Sequence, residues 1–258
     1  YAGLKLLIAT FIVLPVLPNH TVDPWEALNP YTMWWLVILI SGLSLVGYVA
    51  SRWLGPEHGI PLTGLFGGLV SSTAVSLTFA RRSRDETASQ LADALAAGLM
   101  LSWSVMFGRV LVAVAIVNSA LLYPLWIPMV TMGLASLALG FVFYRKSAAR
   151  PAQRSTVAVP LKNPFSLTAA IKFALFFTTV LLVVKLVQRH FSGQGLFLVA
   201  GLAGLTDVDA ITLSMAHYAM QAGENSVAIT AITIAALTNT LAKCGIVAFL
   251  GTPHLRRR

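Results

Sequence analysis

The sequence predicts an all-α polytopic membrane protein of about eight transmembrane segments, arranged as two internal repeats that each contain an interrupted helix. Three observations predict it. First, the 258 residues are 57% hydrophobic and only 10% charged, where a typical soluble domain carries roughly 25% charged residues. The mean hydropathy is +0.79. Second, apolar runs near the about 20 residues needed to cross a bilayer recur along the chain. The short alternating segments of a membrane barrel do not. Third, one polar-centred motif occurs twice at an almost constant offset.

The apolar segments fall at roughly 3–18, 31–53, 60–80, 90–118, 121–144, 165–188, 195–220 and 225–250, in a single transmembrane domain over 1–258. The first, "LKLLIATFIVLPVLP", has no small-residue cleavage site after it and reads as a span or part of one, not a signal peptide. The chain opens on Tyr1, as expected of a processed form or a fragment. Trp34, Trp35, Trp53 and Trp126 lie near segment ends, where interfacial rings are expected. The one long polar stretch is the linker 145–163, with Arg145, Lys146, Arg150, Arg154 and Lys162.

The net charge of +9 comes from 18 basic and 9 acidic residues. In a membrane protein such an excess marks cytoplasmic loops rather than nucleic-acid binding. Arg81, Arg82 and Arg84 then share a side with the linker. If every segment crosses, the tail Arg256, Arg257, Arg258 falls on the opposite side, against the same rule. Either a further span follows Arg258 or one segment does not cross fully. Cys244 is the only cysteine, so no intrachain disulfide forms.

The repeat is read from three matches in order. "GLVSSTAVSLTFA" (68–80) matches "GLTDVDAITLSMA" (204–216) at an offset of 136. "NPYT" at 29–32 matches "NPFS" at 163–166 at 134, and "LSWSVM" at 101–106 lies opposite "LTNTLA" at 237–242, again at 136. The repeats are therefore placed at about 29–118 and 163–250. Each NP pair supplies an Asn cap and a Pro in the first helical position. Four segments separate corresponding spans; an even number predicts parallel repeats, and an odd one would give inverted repeats.

The polar centres are the candidate site. Ser71, Ser72 and Thr73 follow Gly67 and Gly68; Thr206, Asp207 and Asp209 follow Gly204. A carboxylate at membrane depth costs at least about 2.5–3.5 kcal/mol, so it faces a cavity or a partner. Residues i and i+2 of an unbroken helix face different ways, so Asp207 and Asp209 share a ligand only if the helix is interrupted. Thr206-x-x-Asp209 has the spacing of a capping box, and Gly201 and Gly204 loosen the chain before it. Interrupted spans at corresponding positions point to a transporter's binding site. The alternative is structural: one acid caps a helix, the other pairs with Lys243, Arg109, Lys172 or Lys185. Lys243 lies four residues after Asn239, on one helical face. It either partners the acids or snorkels to the interface. Gly64-x-x-x-Gly68 reads as a helix-packing site, and His217 as a satisfied polar group. No zinc-spaced cluster, P-loop or GxSxG occurs, and Glu57-His58 lacks a third group, so the chain does not read as an enzyme.

At "GLFGGLVSSTAVSLTFARRS" and "GLTDVDAITLSMA", together with the "LP…NP" start and "NTLAK", the chain resembles an uncharacterised bacterial membrane domain commonly fused C-terminal to an MgtC/SapB-type domain. The resemblance implies a bacterial inner-membrane location and a link to magnesium-related physiology. It implies no substrate, and the MgtC-type N-terminal domain is absent from this chain. The expectation is a transporter or channel-like protein for a small ion, foremost a cation such as Mg²⁺. Asp207 and Asp209 would be the metal carboxylates; Thr206, Ser71, Ser72 and Thr73 would add hydroxyl or backbone oxygens. Asn239, Lys243 and Arg109 would orient or neutralise the acids. No cofactor beyond a bound cation is expected. The partners would be membrane lipid and the ion, with a second copy of the chain as a further candidate. The alternatives are a small anion, drawn by Lys243, Arg109 and helix N-termini, or a regulatory or scaffold protein with no transport activity.

Overall fold

The computed structural model describes residues 2–23, 28–53, 59–84, 88–149, 167–190 and 194–258, and among them there is no strand. Most of the 145–163 linker, the second NP pair and Glu57-His58 lie outside the described residues. The helices are α1 (Ala2–Ile8), α2 (Leu14–Val16), α3 (Pro30–Trp53), α4 (Gly59–Arg82), α5 (Ala88–Val117), α6 (Leu122–Ala148), α7 (Leu167–His190), α8 (Gln194–Thr206), α9 (Val208–Ala222), α10 (Asn225–Leu250) and α11 (Pro253–Arg256), with a π turn (Ala9–Val13) joining α1 to α2. Among the described residues five helices are long and apolar enough to cross a bilayer: Pro30–Ala50, Gly59–Arg82, Leu91–Val117, Ser119–Ala148 and Asn225–Leu250. Among the described residues thirty-one large apolar side chains from Leu4 to Phe249 are exposed, as lipid-facing surface requires. The chain is a helical membrane protein.

The start of α3 follows the expected cap. Asn29 Oδ1 accepts the Thr32 N–H at 3.1 Å, and Pro30 takes the first helical position, where no N–H is needed. Trp126 is half exposed, as an interfacial ring should be. Trp34 is not: its indole N–H donates to the Ala9 carbonyl at 3.1 Å.

The chain divides into two compact units. One holds Tyr1–Leu45, Val110–Ile127 and Asn163–Asn239; the other holds Val46–Arg109, Pro128–Lys162 and Thr240–Arg258. We call them the first and second unit.

In the second unit α4 doubles back on itself. Its backbone leaves helical geometry at Ser71, with φ −164° and ψ 106°. An unbroken helix would hold Ile60 and Phe79 roughly 28 Å apart. Instead the Ile60 carbonyl and the Phe79 ring both border Gly98 of α5. One level deeper, Gly68 abuts Ser102, while Ser76 accepts a hydrogen bond from Trp103. Residues 59–70 therefore run alongside α5 in its own direction, and residues 72–82 return. The two arms are each about 17 Å long, too short to cross a hydrocarbon core of about 30 Å. Gly64 and Gly68 permit this, because a Cβ at either would strike the α5 backbone. The Gly-x-x-x-Gly spacing is a packing site, as its residues predict. Ile60, Phe79, Leu95, Leu99, Phe143 and Leu255 close the core beneath.

The first unit contains a second such break. Gly201 packs on Ile234 and Thr238, and Gly204 on Ala235 and Thr238. So α8 runs parallel to α10 and begins level with its first turns. Asp207 then breaks the helix at φ −153° and ψ 127°. α9 ends at Gly223, in left-handed geometry at φ 71°, two residues before α10 begins. α8 and α9 thus form a hairpin with Asp207 at its tip. Leu213 and Ala210 of α9 pack with Phe177, Leu181, Leu36 and Ile40.

Candidate functional site

A helix break leaves carbonyls open on one side and N–H groups open on the other. At depth in a bilayer each needs a partner. The two units supply them in related ways.

In the second unit the rising arm ends with the Leu69 and Val70 carbonyls. Arg109 Nη1 donates to both, at 2.9 and 3.2 Å. A cation at a helix C-terminus also complements the helix dipole. The returning arm starts at Ser71, whose Oγ accepts the Ala74 N–H at 3.2 Å. Next to it, Lys243 Nζ donates to Ser72 Oγ at 2.7 Å and lies 2.6 Å from Met106 Sδ. Lys243 is 1% exposed, so it does not snorkel. Below, Trp103 Nε1 donates to Ser76 Oγ at 2.9 Å, and Ser76 Oγ donates to the Ser72 carbonyl at 2.9 Å. Trp103, Met106 and Arg109 are spaced by three, which puts them on one face of α5.

In the first unit the rising arm ends near the Gly204 carbonyl, which accepts from Asn239 Nδ2 at 2.7 Å. Asn239 is 3% exposed. The returning arm starts with Asp207 as N-cap: its Oδ1 accepts the Asp209 N–H at 2.8 Å. Asp209 sits in the first turn of α9, where a negative charge complements the dipole. Both acids are partly exposed.

Several expectations change. Asp207, not Thr206, caps the helix; Thr206 is the exposed last residue of α8. The reason is the position of the break, which lies one residue later than the capping-box spacing suggests. Ser71 Oγ and Ser72 Oγ are engaged by a backbone N–H and by Lys243, and Thr73 is exposed. The serine hydroxyls are thus tied into a cationic break. Ser71, Ser72, Arg109 and Lys243 gather at the break of one unit; Asp207 and Asp209 lie at the break of the other, where Asn239 reaches the Gly204 carbonyl. His217 is satisfied by Gln221 at 3.0 Å. Among the described residues no group of three or more His, Cys, Asp or Glu is placed to hold a metal ion. Met106, Trp103 and Ser76 were not singled out by the sequence, although the three-residue spacing toward Arg109 was there to be read. Nor was Asp93, a 1% exposed carboxylate held 3.0 Å from Arg258 Nε.

These features define a class: a polytopic helical membrane protein with one fold-back helix break in each of its compact units. The chain belongs to the family described as Domain of unknown function (DUF4010), which matches residues 38–251 and so takes in both breaks. It is 32% identical over 197 residues to an uncharacterized protein of Aquifex aeolicus (strain VF5), covering 76% of this chain and 84% of that protein. No solved structure matches. Neither finding bears on an MgtC/SapB relationship.

Proposed function

We propose that this chain is an ion-translocating protein of the bacterial inner membrane, built on an internal duplication whose helix breaks supply the ion-binding groups. One observation carries this reading. Ser71 and Asp207 are 136 positions apart, the offset read from the sequence, and each is the single extended residue between two helical arms. The close approaches follow the same offset: Gly68 on Ser102, and Gly204 on Thr238. Interrupted helices at corresponding places in two halves are the usual build of a transporter's substrate site.

The duplication in this reading is inverted, not parallel. With neither hairpin crossing and α5, α6 and α7 each taken as a span, three crossings carry the chain from the first repeat to the second. That odd number replaces the even count of four. It also removes the conflict over the arginine tail. Arg84 donates to the Leu250 and Phe249 carbonyls, Thr252 N–H donates to Ser83 Oγ, and Arg258 meets Asp93. Arg81, Arg82, Arg84, Arg145, Lys146 and the tail thus gather at one end of the second unit. The positive-inside rule assigns that end to the cytoplasm.

The leading substrate is a small cation at Asp207 and Asp209, with backbone and water oxygens completing its shell. Mg²⁺ suits such a site, because it keeps several waters and binds through one or two carboxylates; the MgtC/SapB resemblance also names it. A second reading is favoured by Lys243. It is a buried ammonium beside the first turn of a half-helix, where a cation opposes the dipole and an anion would be welcome.

The test is thermal stability of the purified chain against Mg²⁺, Ca²⁺, Na⁺, chloride and phosphate. It is run on wild type, on the double variant Asp207→Asn, Asp209→Asn, and on Lys243→Met. A ligand of the folded state raises stability by mass action. A cation shift abolished only in the aspartate variant supports the first reading. An anion shift abolished only by Lys243→Met supports the second. No shift with any ion, and no flux in proteoliposomes, leaves the breaks as fold-locking elements of a scaffold.

A further inference from the structure

In the second unit, the rising arm of α4, α5 and α6 enclose a groove of about 670 Å³. Leu62, Leu65, Leu101, Leu134, Leu137 and Phe141 line it, and the only polar side-chain atom on its wall is the Tyr144 hydroxyl. Its presence has a local cause. Gly140 brings α6 close to α5, because a Cβ there would sit 3.2 Å from the Leu101 side chain. Ala138, also on the wall, leaves the space above unfilled. Leu134, Leu137 and Phe141 are exposed, so the groove opens toward the lipid.

The groove has a direction. Along α6 its lining ends at Tyr144, and the next two residues are Arg145 and Lys146, both exposed. Along α4 it takes residues from the first turns, Pro61 to Leu65. That end of α4 lies beside its other end, with Arg81 and Arg82, because the helix doubles back. An apolar slot therefore runs up to a cluster of cations with a hydroxyl at the junction. We propose that this groove is a binding site for one anionic phospholipid. An acyl chain lies along Leu134, Leu137 and Phe141. The phosphate meets Arg145, with Tyr144 at the glycerol level, while Lys146, its ammonium 5.6 Å from the centre of the Phe143 ring, adds positive charge nearby. The charge complementarity favours an anionic headgroup over a zwitterionic one. Near a membrane surface each Lys or Arg favours anionic lipid by roughly fivefold.

The experiment compares phosphatidylglycerol and phosphatidylcholine of identical acyl chains on the purified full chain, reading bound lipid by native mass spectrometry and thermal shift. The variants are Arg145→Gln with Lys146→Gln, Leu137→Trp, and Ala138→Leu. The last two fill the groove from exposed positions that impose little on folding. Leu139→Trp, exposed but off the lining, is the control. The proposal expects wild type and Leu139→Trp to retain phosphatidylglycerol preferentially. The charge variant loses the preference, and either filling variant loses the bound lipid. Equal retention of both lipids by wild type overturns it. So does a phosphatidylglycerol preference that survives both filled grooves, which would place the headgroup on the basic end without the slot.

Discussion

Asp207 has a structural job that is separable from any ion it binds. Its carboxylate caps α9, and an Asn in its place keeps an acceptor oxygen. Asp207→Asn should therefore leave stability within a few tenths of a kcal/mol, while Asp207→Ala should cost about 1 kcal/mol. Thermal unfolding in detergent measures both. A large loss in the Asn variant would mean that the charge itself holds the fold. Arg109 supports its break more heavily, since it closes two carbonyls. Arg109→Leu should cost about 2–6 kcal/mol, the sum for two unsatisfied buried groups at about 1–3 kcal/mol each. The glycines divide by what surrounds them. A Cβ at Gly68 would sit 2.7 Å from Ser102 Cα, and one at Gly204 2.8 Å from Ala235 Cα. Gly68→Ala and Gly204→Ala should each cost about 1–3 kcal/mol. Gly42 has open space around it, and Gly42→Ala should stabilise by up to about 1 kcal/mol. At this scale the sequence was partly legible. It marked the glycines, serines and aspartates by their recurrence. It could not say that Asp207 rather than Thr206 takes the cap, because both residue types cap well and only the site of the break decides.

The broken helix is the element that separates hydropathy from topology. Gly59–Arg82 has the length and apolarity of a span, yet its two ends lie together. Single cysteines at 59 and 84, in a Cys244→Ser background, should label from the same side of the membrane with an impermeant thiol reagent. Labelling from opposite sides would mean that α4 crosses. Sequence reasoning found the interruption here but not the reversal. A helix that kinks at Ser71 and one that turns back there carry the same residues. What selects the turn is contact with α5, where Gly64 and Gly68 meet Gly98 and Ser102 on one arm while Ser76 and Phe79 meet Trp103 and Gly98 on the other.

At the scale of the molecule, the sidedness of the basic residues is the property to test. Reporter fusions after residues 148 and 258 should both be cytoplasmic, and a fusion after Gly223 should be exported. A cytoplasmic reporter at 223 would contradict the inverted arrangement. The C-terminal residues are part of the folded structure: Leu255 is 2% exposed in the core and Arg258 meets Asp93. Deleting 253–258 should remove the Arg258 partner of Asp93 and lower thermal stability by about 2–4 kcal/mol, through lost core area and a broken ion pair. A tail that can be removed without effect would mean that this contact does not form in the membrane.

The sequence by itself determined the class, the helix positions and the two places where helices break. Those follow from composition, from apolar run length and from polar residues recurring at one offset, all of which are local or periodic properties. The tertiary structure decided which way each broken helix goes and which side chains answer its open groups. It put Lys243 on Ser72, 171 positions away, Arg109 on the Leu69 and Val70 carbonyls, and Asn239 on Gly204. Such pairings depend on which helices lie side by side. Steric fit at glycines and the need to satisfy backbone groups away from water set that arrangement, and neither can be computed from one segment alone.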